Sequence, residues 1–276
     1  MNHNRFGPGE ILVFIMLCLG FLLAAYPLFW MLMSSLKTSR AITGDIWALP
    51  ERPLWSNYLT AWTRGVSGYF LNSFIVTAAT VTGVLIISSS CAYGLSRYNQ
   101  PWLNCVLVMV MGGMMLNPHV CLIPLYGLLR TLGVHNTRLA LILPYTAFRL
   151  PLITLIVRAY FLGIPKEIEE SACLDACNDF QIYSRLFVPM SRPVLATGAI
   201  LVSYYAWNEF LFAIIFIDSK RLKTIPAGLM NFRDALQINW GPLLAGMAMS
   251  AMPLVIFFLF MQKYFIRGMF TGAVKG

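Results

Sequence analysis

Several stretches of this chain are apolar for about the length that a bilayer demands. A hydrocarbon core roughly 30 Å thick takes about 20 helical residues. Residues 11–33 run that far without a charge, and so do 69–95, 102–124 and 241–262. Two further runs, 139–157 and 193–217, each carry one charge, Arg149 and Glu209 respectively. Inside lipid every backbone N–H and C=O has to find its partner within the segment, so these runs read as helices. None shows the dyad alternation of an outer-membrane barrel strand. Only 11% of the 276 residues are charged and 58% are hydrophobic, where a soluble domain has about 25% charged. The expected fold class is an all-α integral membrane protein of about six transmembrane helices. The first run exceeds a signal-peptide core and is followed by no A-x-A site, which predicts a retained helix.

The links between runs differ in kind. Residues 34–68 form a long polar link with Trp47, Pro50, Pro53 and Trp55, whose rings suit a membrane interface. Residues 96–101 make a tight turn, which predicts antiparallel neighbours on either side. Lys and Arg fall almost equally on the two sides, so the positive-inside rule does not orient the chain. The net charge of +9 is scattered and forms no basic stripe, which speaks against nucleic acid as a partner.

Chemistry of the usual catalytic kinds is missing from the sequence. There is no G-x-x-x-x-G-K-[ST] to cradle a nucleotide phosphate, no H-E-x-x-H and no G-x-S-x-G. His3, His119 and His135 have no metal spacing. Cys173 and Cys177 lie one helical turn apart, and without a His nearby they read as small residues on a packed face. No catalytic residue, bound cofactor or metal is expected. Two charges sit within apolar runs. Arg149 and Glu209 either face a translocation path or pair for assembly, because intramembrane charge is costly. Tyr204, Trp207 and Asn208 crowd the same run as Glu209, and aromatic side chains there suit either sugar rings or helix packing.

The most charged link is 164–193, reading IPKEIEESACLDACNDFQIYSRLFVPMSRP. Pro165 suits the start of a helix. Glu167, Glu169 and Glu170 follow where the helix dipole favours carboxylates. Asn178 with Gln181 three residues on has the pattern of a capping box. The prediction is two short helices joined near Ala176–Asn178, outside the bilayer.

This segment resembles the cytoplasmic EAA loop of ABC importer permeases, which runs roughly E-A-A-x-x-D-G-A and closes on I-x-L-P. Glu170, Ser171 and Ala172 take the first three places, Asp175 the acidic one, and Leu186 and Pro189 the closing ones. The chain also resembles the carbohydrate permeases of that family at Asn57-Tyr58, at 69–73 (YFLNS), at 123–126 (IPLY), at 142–145 (ILPY) and at 207–211 (WNEFL). The tail from Tyr264 through Arg267 to Gly272-Ala273-Val274-Lys275-Gly276 is similar too.

The resemblance implies a type I ABC importer transmembrane domain of a sugar permease in the bacterial inner membrane. It divides the chain into 1–68 (tail, first helix and extracytoplasmic link), 69–266 (transmembrane domain, coupling loop at about 164–192) and 267–276 (cytoplasmic tail), with both termini cytoplasmic. It implies as partners a second and different permease, two ABC ATPase subunits that use ATP and Mg, and an extracytoplasmic solute-binding protein. The cargo class would be a sugar, oligosaccharide, polyol or glycerol phosphate. ATPase coupling would fall to Glu170, Ser171, Ala172, Asp175, Ala176 and Pro189. The family glycine and the alanine after it are replaced by Ala176 and Cys177, where a positive φ would cost alanine roughly 1 kcal/mol. Asn178, which tolerates such a φ, is expected to move the turn by a residue or two. The alternative from another class is a secondary transporter driven by an ion gradient.

Overall fold

The computed structural model describes residues 8–232 and 238–273. His3, along with Val274, Lys275 and Gly276 of the expected tail, lies outside the described residues. The regular structure of the described residues is helical, joined by turns and irregular links, with no sheet among them. They group into two units. One takes the chain up to Val66 with Leu229–Ala251, and the other takes Ser67–Gly228 with the chain from Met252 onward.

In the first unit α1 (Pro8–Ser35) is apolar all round, and none of its membrane-length window is buried. The expected polar link folds into α2 (Ser39–Gly44) and α3 (Ser56–Ala61). Thr38 caps α2 by accepting the Ala41 N–H at 3.1 Å, which satisfies one of the helix's otherwise orphaned donors. Asn57 then holds the link together. Its amide donates to the carbonyls of Ser35 at 2.7 Å and Lys37 at 3.0 Å. Ser35 and Tyr58 share a hydroxyl bond of 2.8 Å. Gly241 passes so near that a Cβ there would stand 2.6 Å from the Asn57 amide and 2.7 Å from the Lys37 carbonyl.

The second unit is built on α4 (Ser67–Arg97) and α7 (Leu139–Leu162). Along α4, Tyr69, Asn72, Ser73, Val76, Thr80 and Val84 are buried. They recur at three- and four-residue steps, so one stripe of the helix faces its neighbours. α10 (Arg192–Asn208) completes the core. With lipid outside as apolar as leucine inside, such contacts are decided by fit, and small residues allow close approach. Gly198 of α10 shows this: an added Cβ would be 3.2 Å from both Ile153 and Leu85. Around these helices lie α5 (Pro101–Gly113), α6 (Leu122–Thr131), α8 (Lys166–Leu174), α9 (Asp179–Met190), α11 (Leu211–Phe216) and α12 (Ile225–Leu229). α13 (Trp240–Ala273) ends the chain.

Among the described residues, four helices are long and apolar enough to cross a membrane. These are α1, α4, α7 and α13. The pair α9 and α10, bent by 74°, adds a fifth candidate. The expected third span, 102–124, is not one helix. It stops at Gly113 and resumes at Leu122. Between them Asn117 accepts the His119 N–H at 2.9 Å, an Asx turn ahead of Pro118. The 23-residue apolar run contains a Gly-Gly and an Asn-Pro, both helix-stopping pairs. The fifth run also breaks, at Glu209 and Phe210.

Candidate translocation cavity and coupling loop

Helix α8 starts behind Pro165 and carries Glu167 and Glu169 in its first turn, where they complement the helix dipole. It closes on a Schellman turn: Cys177 N–H donates to the Ala172 carbonyl at 3.1 Å, and Ala176 N–H to that of Cys173 at 3.0 Å. This geometry puts the first residue past the helix C-cap in the left-handed region. Ala176 takes it, with φ of 58°. The expected shift of the turn onto Asn178 does not occur. Asn178 has φ of −80° and is instead the N-cap of α9, with a reciprocal capping box to Gln181, both bonds at 2.9 Å. The side chain cannot serve both roles, because capping requires extended backbone.

Of the loop residues singled out by resemblance, Glu170, Ser171, Asp175 and Ala176 are exposed and Pro189 half-buried. Ala172 is buried and packs among Phe161, Ile164, Ile182 and Phe187. Leu174 and Phe180 escaped the sequence reading. They flank the turn and are 89% and 73% exposed, an apolar pair beside Glu170 and Asp175.

Arg97, the last residue of α4, fastens this loop. Its guanidinium donates to the carbonyls of Phe161 at 2.9 Å and Ile164 at 3.0 Å, at and just beyond the end of α7. It pairs with Glu169 of α8 at 3.4 Å and lies 4.6 Å from the centroid of Phe187 in α9. Further ties run from Tyr183 to Ser89 at 2.7 Å and from Tyr160 to the Met190 carbonyl at 2.8 Å. The Tyr98 hydroxyl donates to Asp179 at 2.6 Å. That bond, with some desolvation and the Asp179 and Glu169 charges, pushes the Tyr98 phenol up to about 12. Nothing in the sequence pattern marks Arg97 beyond its position at a helix end.

A cavity of about 900 Å³ opens elsewhere in this unit. The turn after α5 (Met114–His119), the middle of α7 and the end of α10 line it. Arg149, Tyr204, Asn208 and Glu209 all reach its wall. Trp207 does not. It is buried against Phe70, rings at 84° and 5.7 Å apart, and borders a separate apolar cavity of about 360 Å³ with Phe74, Ser203 and Pro253. At about 100° per residue Trp207 is turned about 60° from Tyr204 and about 100° from Asn208 round α10, which brings it to the second cavity while the other two line the first.

The pairing of Arg149 with Glu209 is absent: among the described residues no ion pair joins them. Glu209 is used by its own break in the helix. Its carboxylate accepts the N–H groups of Phe212 at 2.9 Å and Ala213 at 3.2 Å, the free donors opening α11, and the Tyr145 hydroxyl at 2.5 Å. On the other side of the break, the Asn208 amide donates to the Tyr204 carbonyl at 2.8 Å. Arg149 lies instead over the Tyr205 ring, 3.4 Å from its centroid. Among the described residues no group of His, Cys, Asp and Glu is placed to hold a metal.

Residues 83–271 match the family described as binding-protein-dependent transport system inner membrane component. The chain is 52% identical over 268 residues to the probable ABC transporter permease protein YurM of Bacillus subtilis, covering 97% of this chain and 89% of that one. It is 33% identical to the trehalose/maltose transport system permease protein MalG of Thermococcus litoralis, covering 97% and 99%. It also shares its fold with a chain in the crystal structure of a bacterial ABC transporter involved in the import of the acidic polysaccharide alginate. That likeness has a TM-score of 0.82 at 23% identity and covers 95% of this chain and all of that one. The ion-gradient alternative is thereby set aside.

Proposed function

The chain belongs to the family of binding-protein-dependent transport system inner membrane components, and we propose that it forms half of the path through an ATP-driven sugar importer. The sugar class follows the trehalose/maltose permease that it resembles over nearly its full length. A second permease, different from this one, would supply the other half. Two copies of an ATPase would bind and hydrolyse ATP with Mg, and an extracytoplasmic binding protein would deliver the cargo. Both termini and the 165–189 loop then face the cytoplasm.

The observation that carries this reading is the fastening of α8 and α9 to two core helices at once through Arg97. A loop that is to transmit a partner's movement has to be stiff and joined to what moves. Glu170, Asp175, Leu174 and Phe180 give its outer surface acidic and apolar contacts for an ATPase groove, while Ala172 keeps its inner surface close to the core. Closing of the ATPase dimer would push on this surface, and Arg97 would pass the push to α4 and α7. The cavity bounded by α7 and α10 would then change the side to which it opens.

The test is to purify the chain with the subunits encoded beside it and measure cargo-stimulated ATPase activity in liposomes. Glu170→Ala and Asp175→Ala should each release the ATPase or lower transport per ATP about tenfold, the loss of one to two charge-assisted contacts. If no ATPase subunit copurifies and both variants transport normally, the reading fails.

A further inference from the structure

We propose that the cargo is a carbohydrate bearing an anionic group (carboxylate, sulfonate or phosphate) and that Arg149 receives that group at the cavity wall. The inference rests on the transport reading above and names the class of molecule the cavity takes.

Arg149 sits midway along a membrane-length apolar helix, where a charge is costly and needs compensation. Its compensation within the chain is incomplete. One face of the guanidinium is stacked on Tyr205, which supplies part of a counter-charge through the ring quadrupole. The Nε atom is buried without a hydrogen-bond partner. No carboxylate among the described residues lies within ion-pair distance. Glu209, the one acidic residue on the cavity wall, already has its oxygens taken by Tyr145, Phe212 and Ala213. The wall therefore offers a cation held flat by an aromatic ring, with no anion assigned to it.

A guanidinium is the side chain whose fork of donors matches a planar carboxylate or a phosphate face in two parallel bonds. The buried edge of this guanidinium lies in a lower dielectric than bulk water, where that match is stronger than at a fully exposed surface. The rest of the wall suits a sugar ring rather than a bare inorganic anion. Tyr204 presents a 66% exposed aromatic face, and Asn117 and His119 add polar groups across the opening. An anion carried on a polyhydroxylated ring satisfies both parts.

The deciding experiment uses the complete importer in proteoliposomes. The probes are neutral di- and trisaccharides paired with their uronic-acid and phosphate counterparts. Uptake should be confined to anionic members. Arg149→Gln should lower that uptake about ten- to a hundredfold, the usual effect of a lost charged hydrogen bond, and Arg149→Lys should keep part of it. Uptake of neutral members that Arg149→Gln leaves unchanged overturns the proposal while the importer stands. Loss of the second permease from the purified Arg149→Gln complex also overturns it, because the charge then serves assembly. If no carbohydrate is taken up and none stimulates ATPase activity, the transport reading itself falls.

A cargo-independent measurement covers variants that assemble poorly. With Tyr204→Cys, the introduced thiol should react faster with an anionic than with a cationic methanethiosulfonate, after correction for their intrinsic rates. That preference should fall about threefold or more in Arg149→Gln, as the local field weakens. Equal corrected rates with Arg149 present overturn the proposal.

Discussion

Arg97 is enclosed by what it binds: two helix-terminal carbonyls, the Glu169 carboxylate and the Phe187 ring. The Nε of each is buried without a hydrogen bond, but Arg149 rests on one ring and, among the described residues, has no carboxylate within ion-pair distance. The same side chain thus works in two ways. At the end of α4 it consumes acceptors that the fold itself leaves over, so its function is to join elements. In the middle of α7 the one carboxylate on the cavity wall, Glu209, is already engaged by Tyr145, Phe212 and Ala213, so its function is left to something that arrives.

The sharpest way to break this contrast is to remove each charge in turn. Arg97→Met would leave the Ile164 carbonyl and Glu169 without their partner and take one of two donors from the Phe161 carbonyl, at a cost of about 2–4 kcal/mol once partial exposure of the pair is allowed for. Arg149→Met strands nothing and should change stability by no more than about 1 kcal/mol. Denaturant unfolding of the two purified variants in one detergent measures both. Equal losses would mean that Arg149 is a structural residue after all.

A second prediction concerns Glu209. If its carboxylate belongs to Tyr145 and α11, Glu209→Gln costs about 1–2 kcal/mol through the lost cap and charge. It should then be additive with Arg149→Gln, with a coupling below about 0.5 kcal/mol in a double-mutant cycle. Exchanging the two charges should rescue neither single variant. A coupling above about 1 kcal/mol would restore the ion pair that the sequence left open and would weaken the contrast between the two arginines.

How much of this could be read beforehand varies with the type of signal. Local patterns did well. The capping box of Asn178 and Gln181 and the break between α8 and α9 are written in adjacent residues, and the structure contains both. Run length was less dependable. The stretch 102–124 is apolar enough to span, yet Gly112-Gly113 and Asn117-Pro118 stop the helix, and hydropathy does not register backbone preference. Long-range partners were beyond reach. Arg97 meets residues 64 to 90 positions away, Phe161 the nearest and Phe187 the farthest, and Arg138 reaches Asn72 over 66 positions. Trp207 was grouped with Tyr204 and Asn208 because all three share one motif, but a helix turns successive residues about 100° apart and divides them between two cavities.

A third and smaller effect is expected at Tyr98, which adds to the joint around Arg97. Tyr98→Phe removes the bond to Asp179 and should cost about 0.5–1 kcal/mol, as for a surface-accessible hydrogen bond. Because the phenol is pushed up to about 12, its contribution is complete below the ordinary tyrosine value near 10 and is lost only as pH rises through about 12. The difference between wild type and Tyr98→Phe should therefore not drift through phenol ionisation between about pH 6 and 9. Drift that tracks phenol ionisation in that interval would show that the bond does not form in solution.

The smallest effect separates the joint from its outer surface. Ala176 holds φ of 58° at the Schellman turn between α8 and α9. A glycine there removes a strain of about 1 kcal/mol but makes the unfolded chain freer, so Ala176→Gly should stabilise by no more than about 0.5 kcal/mol. The turn lies between exposed Leu174 and Phe180, away from the contacts of Arg97. If the loop transmits through a stiff frame, the added freedom should lower transport per ATP even as unfolding shifts slightly upward. If instead coupling is unchanged, the stiffness resides wholly in the inner contacts, and Arg97 alone carries what the outer surface receives.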